Sequence, residues 1–283
     1  MTRAKDMAFY KSYKPRTFDP TSNEPFKVSR SKIDFFGECP RCFYMEARFG
    51  LKRPSMPSFT LNIAVDALLK KEFDAHRTAR TTHPLLKNYG LDLVPFQHPQ
   101  IDVWRENFTG VQVLHKPTNL LVFGAVDDIW VNSAGELFVV DYKATSKDGA
   151  VDKLEDTRWH NQYRRQIEVY QWLLRQNGFT VSNTGYFVYV NGKKDRAVFD
   201  AKLEFDVVLI SYTGSDTWVE TALASMKVCL LGSLPEPGEL CEFCPYRQVA
   251  SGLEMATLKL EVPKTHVVPK KKRSSEIIGP ALF

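Results

Sequence analysis

Phe123-Gly-Ala-Val-Asp127 and Val139-Val-Asp-Tyr-Lys143 place three charged side chains in two otherwise apolar segments. The first belongs to the run Leu120–Val131, suited to one buried strand, and the second to Leu137–Ala144, a second strand. Asn132-Ser-Ala-Gly135 between them is a turn signal, so the pair is expected as an antiparallel hairpin. Apolar residues occupy both alternating faces, and a charge in such a strand is costly unless something compensates it.

Side chains alternate along a strand, so Asp141 and Lys143 share a face. If the turn pairs Val131 with Leu137, Asp127 comes opposite Asp141; a slip of one residue undoes this. In that register two carboxylates and one ammonium converge at the strand ends. Carboxylates that close repel one another unless a cation lies between them, and oxygen ligands of this kind suit Mg²⁺ or Mn²⁺. The plainer alternative is an Asp–Lys ion pair with a stray Asp near a sheet end.

Outward from the hairpin, helical spacing appears three times. Leu61, Val65, Leu68, Leu69 and Phe73 form a stripe over Leu61–Arg77. Trp159, Tyr163, Ile167, Tyr170 and Leu174 form another over Asp156–Gln176, which Gly178 ends. A third helix is expected over Asp216–Leu231, and a short one over Lys32–Gly37, with Ser29 and Ser31 as capping candidates. Gly185–Val190 and Phe205–Tyr212 read as strands, with Asn191-Gly192 as a turn between them. Segment 83–100 holds several turn-formers and receives no assignment. The order of helix, hairpin, helix, two strands and helix suits a mixed sheet flanked by helices.

Four of the five cysteines fall in two Cys-x2-Cys pairs, Cys39-Pro-Arg-Cys42 and Cys241-Glu-Phe-Cys244. Each pair can give two thiolates to one metal. A shared centre would staple the N- and C-terminal segments over the core. The alternative is two unrelated pairs of buried thiols. Cys229 follows Val228 in an apolar helix and reads as core.

The net charge of +5 is weak evidence for a nucleic-acid partner. Local clusters say more: Arg158 with Arg164 and Arg165, Lys193 with Lys194 and Arg196, and Lys270–Arg273, although each alone also reads as a solvated face. No apolar run approaches the ~20 residues needed to span a bilayer. Met1–Tyr13 lacks the apolar core of a secretory signal, so the expectation is a cytoplasmic protein without membrane contact. No His-x3-His or Glu-x-x-His pattern is present, which argues against a zinc hydrolase, and no Gly-x4-Gly-Lys-Ser/Thr motif, so the chain carries no ATPase motor of its own. Residues 1–28 are expected as a flexible arm, 29–261 as one domain with its cysteine-clasped cap, and 262–283 as a disordered basic tail. In that tail Lys270–Arg273 is expected to add phosphate contacts, and the apolar Ile277–Phe283 reads alternatively as a docking segment.

Gly124-Ala-Val-Asp127, Val140-Asp-Tyr-Lys143 and Gln166-Ile-Glu-Val-Tyr170 occur in that order on two strands and a helix. Together they resemble the signature of the PD-(D/E)XK nuclease superfamily in its RecB/AddB-type form. The Cys39-Pro-Arg and Cys241-Glu-Phe-Cys244-Pro-Tyr-Arg contexts are similar to those of members with an iron–sulfur cluster. Those members have one cysteine before the nuclease motifs and three after; here Ala250 stands at the last position, and Cys42 restores the count.

The resemblance implies an α/β, restriction-endonuclease-like mixed sheet flanked by helices, with a cysteine-bound cap joining the N- and C-terminal segments. It implies a Mg²⁺- or Mn²⁺-dependent deoxyribonuclease, an exonuclease rather than an endonuclease. Its metal ligands would be Asp127, Asp141 and the carbonyl of Tyr142, with Asp66 as a further ligand. Lys143 would orient the attacking water, and Gln166 and Tyr170 would position the site or the strand. Cys39, Cys42, Cys241 and Cys244 would hold a 4Fe–4S cluster, or alternatively Zn²⁺. The partners implied are DNA and a helicase or other recombination or CRISPR subunit. Asp66 also reads as part of a solvated helix face, and Asn62 departs from the small residue usual four places before it. The alternative function is a non-catalytic DNA-binding or assembly subunit with a vestigial nuclease fold.

Overall fold

The computed structural model describes residues 16–54, 59–149 and 151–260. The tail read as a phosphate-binding or docking segment lies outside them. The chain divides into two units, Met1–Cys241 and Glu242–Phe283.

In the first unit the strands are β1 (Phe26–Ser29), β2 (Val94–Pro95), β3 (Val111–His115), β4 (Leu120–Gly124), β5 (Asp128–Val131), β6 (Leu137–Thr145), β7 (Thr184–Gly192) and β8 (Phe205–Thr213). The helices are α1 (Arg30–Glu38), α2 (Pro40–Phe49), α3 (Thr60–Ala79), α4 (Pro84–Asn88), α5 (Ile101–Trp104), α6 (Arg158–Gln176) and α7 (Trp218–Leu231). The second unit is described by α8 (Phe243–Leu260).

Two mixed sheets form, with strand orders β1-β4-β3 and β2-β5-β6-β7-β8. This is the mixed α/β, restriction-endonuclease-like architecture expected. The β6–β7 pair is parallel, and its crossover is made by α6. Alternation along β6 sends Leu137 and Val139 into the larger core, with Ile167 and Leu174 of α6. It sends Val140 and Tyr142 into a smaller core on the opposite face, with Phe73 of α3 and Trp130. Asp141 and Lys143 continue the first series, so they emerge on the α6 face at the carboxyl end of β6.

Several expectations require correction. The apolar run Leu120–Val131 is two strands in different sheets, broken at Ala125–Asp127, where the amide of buried Val126 donates to the carbonyl of Trp104. Phe26–Ser29 at the end of the expected arm is a strand parallel to β4, with Phe26 and Val28 buried. Asn191 and Gly192 are no turn, because they pair with Asp206 and Phe205 and the connection lies beyond them. In α3, Leu61 and Leu68 of the expected apolar stripe are exposed, while Phe73 is buried. Only Ser29 of the two serines caps α1, accepting from the Lys32 amide. Cys229 is partly buried and packs against the larger core.

Candidate active site and cysteine cluster

Val131 pairs with Leu137 and Asp128 with Val140. One step further along this register, Asp127 comes level with Asp141. Asp127 Oδ2 accepts the backbone N–H of Tyr142 at 2.9 Å. The Asp141 side chain is fully buried, and its Oδ2 is in ion-pair contact with Nζ of Lys143. Burial pushes the Asp141 carboxyl up to about 7, with Lys143 opposing the shift and Asp127 adding to it.

From α3, Asp66 completes an acidic group. Lys70 Nζ stands 2.8 Å from Asp66 Oδ2 and 3.7 Å from Asp127 Oδ1, so one ammonium lies between two carboxylates. Burial holds the Asp66 carboxyl above its usual range, and Asp127 adds to this. Asn62, one turn earlier, donates to the Ala144 carbonyl at 3.0 Å, which ties α3 to the end of β6.

Helix α6 supplies the other wall. Lys143 Nζ donates to Gln166 Oε1 at 3.3 Å, and Gln166 Nε2 donates to the Tyr170 hydroxyl at 3.1 Å. The i, i+4 spacing puts both side chains on one face. Burial pushes the Tyr170 phenol up to about 12, with the nearby Arg30 charge opposing. Gly124 makes room for that ring, because a Cβ there would lie 2.6 Å from Tyr170 Cε1. Six sequence-predicted residues, Asp66, Asp127, Asp141, Lys143, Gln166 and Tyr170, are thus brought together. The Tyr142 side chain points to the other face of β6, while its backbone stays at the site.

Asp128 was not singled out from the sequence. It is fully buried, and Oδ1 is held by Arg77 and, at 3.2 Å, by Arg105, while Oδ2 accepts the Tyr142 hydroxyl at 2.8 Å. Arg105 also holds both oxygens of Asp74 at 2.9 Å and donates to the Asp127 carbonyl at 3.0 Å. Burial and the Asp128 charge hold the Tyr142 phenol well above its usual range. The sequence signal was the Asp-Asp doublet. In a two-residue alternation, a second acid beside Asp127 faces the opposite core and needs buried cations there.

The basic clusters among the described residues are largely paired internally. Arg158 meets Glu38 at 2.7 Å, Arg165 meets Asp34 at 2.5 Å and Lys193 meets Asp206 at 2.6 Å.

Cys39 is the N-cap of α2, its Sγ accepting the Cys42 amide at 3.4 Å, with Pro40 in the first turn. This turn aims both thiols the same way. The Gly238 amide donates to Cys39 Sγ at 3.3 Å, and any side chain there would strike the Glu38 carbonyl, 2.1 Å from where a Cβ would sit. Cys42 Sγ lies 3.6 Å from Cys241 Sγ, and Arg53 donates to Cys241 Sγ at 3.2 Å. The sulfurs of Cys39, Cys42 and Cys241 lie within 4.8 Å of one another, and Cys244, the fourth sequence-predicted ligand, belongs to the second unit.

A family model described as the PD-(D/E)XK nuclease superfamily matches residues 62–249, which hold every residue of the acidic site. The chain belongs to the PD-(D/E)XK nuclease superfamily. Members generally use divalent metals, in keeping with the acidic site. No curated protein matches this chain. Among solved structures, one described as "Crystal structure of SSO0001" is 15% identical over 81% of this chain and 84% of that one, at a TM-score of 0.34. Such a distant likeness adds nothing on function to the superfamily assignment. No helix among the described residues is long and apolar enough to cross a membrane.

Proposed function

We propose that this PD-(D/E)XK protein is a Mg²⁺- or Mn²⁺-dependent deoxyribonuclease of RecB/AddB type, acting on DNA ends or single strands and more an exonuclease than an endonuclease. The observation that carries the reading is Asp141, a fully buried carboxylate level with Asp127 and in contact with Lys143. A carboxylate so desolvated calls for a cation beyond one lysine.

Asp127, Asp141 and the Tyr142 carbonyl are the proposed ligands, with Asp66 joining once Lys70 turns aside. When bound, the ion supplies positive charge beside the scissile phosphate and acidifies a water. Lys143 holds that water and the developing phosphate charge. Gln166 fixes the Lys143 ammonium, and Tyr170 fixes Gln166. The test is degradation of end-labelled DNA by the pure protein with and without Mg²⁺, on linear and circular single strands. Degradation confined to linear strands supports an exonuclease; inertness on every DNA returns the non-catalytic reading.

For the cysteine centre we propose a single tetrahedral ion, Zn²⁺, in preference to the 4Fe–4S cluster that the resemblance implies. A Zn–S bond of about 2.3 Å in tetrahedral geometry sets sulfurs about 3.8 Å apart, close to the 3.6 Å between Cys42 and Cys241. A four-iron cluster binds each thiolate at a different iron and holds the sulfurs further apart. A colourless protein carrying one zinc per chain is the expected result; a brown protein containing iron and sulfide refutes it. Action with a helicase or other recombination or CRISPR subunit remains part of the proposal, supported by the RecB-type motif order.

A further inference from the structure

Beside the acidic site runs a second cleft, of about 520 Å³. Its walls are the start of α3 (Phe59, Leu61), the first turns of α6 (Trp159, Tyr163) and Phe205 of β8, with the end of β6 as floor. Phe59, Leu61 and Trp159 are 65%, 56% and 61% exposed, which is unusual for three large apolar side chains facing one space.

The cleft is continuous with the smaller cavity that holds Asp66 and Lys143. Tyr163, Asn62, Val65 and Ala144 line both. Tyr163 is the shared wall, and the Lys143 ammonium lies 4.6 Å from the centre of its ring. A flat aromatic guest beside Tyr163 therefore places whatever is bonded to it close to Lys143. Polar groups of the wall are turned to the protein: the Asn62 amide nitrogen donates to Ala144, and Ser146 Oγ donates to the Gly192 carbonyl. What faces the guest is mainly aromatic and aliphatic surface.

We infer that this cleft receives one unpaired nucleobase of the substrate strand, stacked among Trp159, Tyr163 and Phe59, next to the phosphate being cut. The inference rests on the nuclease reading above and gives its substrate class: single-stranded or frayed DNA, taken without base preference. Every base has a π-face, so stacking tolerates any sequence. A base in a duplex reaches the cleft only by unpairing and unstacking, which a closed helix resists.

The test uses the full chain, with Ca²⁺ replacing Mg²⁺ so that DNA is bound but not cut. Fluorescence anisotropy is measured with a single-stranded oligonucleotide, with the same strand carrying one abasic nucleotide at successive positions, and with a blunt duplex. Trp159→Ala is expected to weaken single-strand binding by roughly 5- to 150-fold, the range for losing one base–aromatic stack. Trp159→Phe is expected to retain most of the affinity, which a simple change of surface would not distinguish. At one abasic position the wild-type protein is expected to lose the same factor, and Trp159→Ala nothing further. Duplex binding is expected to be weaker and insensitive to Trp159. Equal losses for Trp159→Ala on every abasic strand, or on the duplex, would overturn the inference, as would no loss at all. Mg²⁺-dependent hydrolysis by the wild type is scored separately. Hydrolysis without the Trp159 effect ends the base-cleft assignment alone, and the Trp159 effect without hydrolysis ends the nuclease reading alone.

Discussion

Asp127 accepts the backbone N–H of Tyr142 through Oδ2, 2.9 Å away. The end of β5 is thereby tied to β6 at the point where both proposed metal-binding segments meet. Asp127→Asn keeps an oxygen for that amide and removes only the charge. It is expected to fold normally, to bind Mn²⁺ weakly by calorimetry, and to lose at least ~10²-fold in cleavage, the scale of removing one electrostatic group at a reaction centre. Asp127→Ala, Asp141→Ala and Lys143→Ala are expected to abolish cleavage with circular dichroism unchanged. Full activity in Asp141→Ala would sink the assignment.

Asp141 makes a prediction about pH. Its folded carboxyl titrates near 7 because of burial, whereas an unfolded Asp titrates near 3.9. A raised folded value means stability that is present below about pH 4 and lost as pH rises through about 7. In metal-free protein, stability from this group should fall across that window. Asp141→Asn should abolish the dependence and melt higher above pH 7. Adding Mn²⁺ below pH 7 should release a proton, seen as a buffer-dependent binding heat. A metal-free profile identical in wild type and Asp141→Asn would refute it.

The Asp128 network predicts stability. Asp128→Ala leaves Arg77 and Arg105 buried without their shared anion and is expected to cost about 3–5 kcal/mol. Tyr142→Phe removes one hydrogen bond to that charge and is expected to cost about 1.5–3 kcal/mol. Urea unfolding of both and of the double variant should show non-additivity, because the two groups touch. Additive losses would mean that the Tyr142 hydroxyl does not serve Asp128.

For the cysteines, replacing Cys39, Cys42, Cys241 or Cys244 singly by Ser should empty the centre and lower the melting temperature, by metal analysis and thermal scan. Cys229→Ala should leave metal content unchanged. Two ions per chain, one for each Cys-x2-Cys pair, would refute a shared centre.

The acidic site was legible because it obeys two periods at once. Asp141 and Lys143 are two apart on a strand, Gln166 and Tyr170 four apart on a helix, and a turn of known register sets Asp127 against Asp141. Asp128 was not read, since a second acid adjacent to a functional one looks redundant until its own face is known. The break at Ala125–Asp127 was also hidden, because Val126 is as apolar as a strand interior and only the Trp104 carbonyl shows where its amide goes. Asn191-Gly192 misled because the strongest turn dipeptide also fits a strand end, where Gly192 pairs with Phe205. The aromatic cleft had no sequence signal: Trp159 and Tyr163 fit a core stripe, and only tertiary placement leaves Trp159 facing solvent.

Cys42 and Cys241, 199 residues apart with sulfurs in contact, have an engineering consequence. Bridged by one ion, they turn the backbone between them into a closed ring. The entropy of closing a ring grows only logarithmically with its length, about 0.6 kcal/mol for a doubling. Splicing a short reporter peptide between Val198 and Phe199, both exposed and beyond the paired end of β7, lengthens the ring by a small fraction and costs far less than that. That connection is therefore expected to accept foreign sequence at little cost in stability.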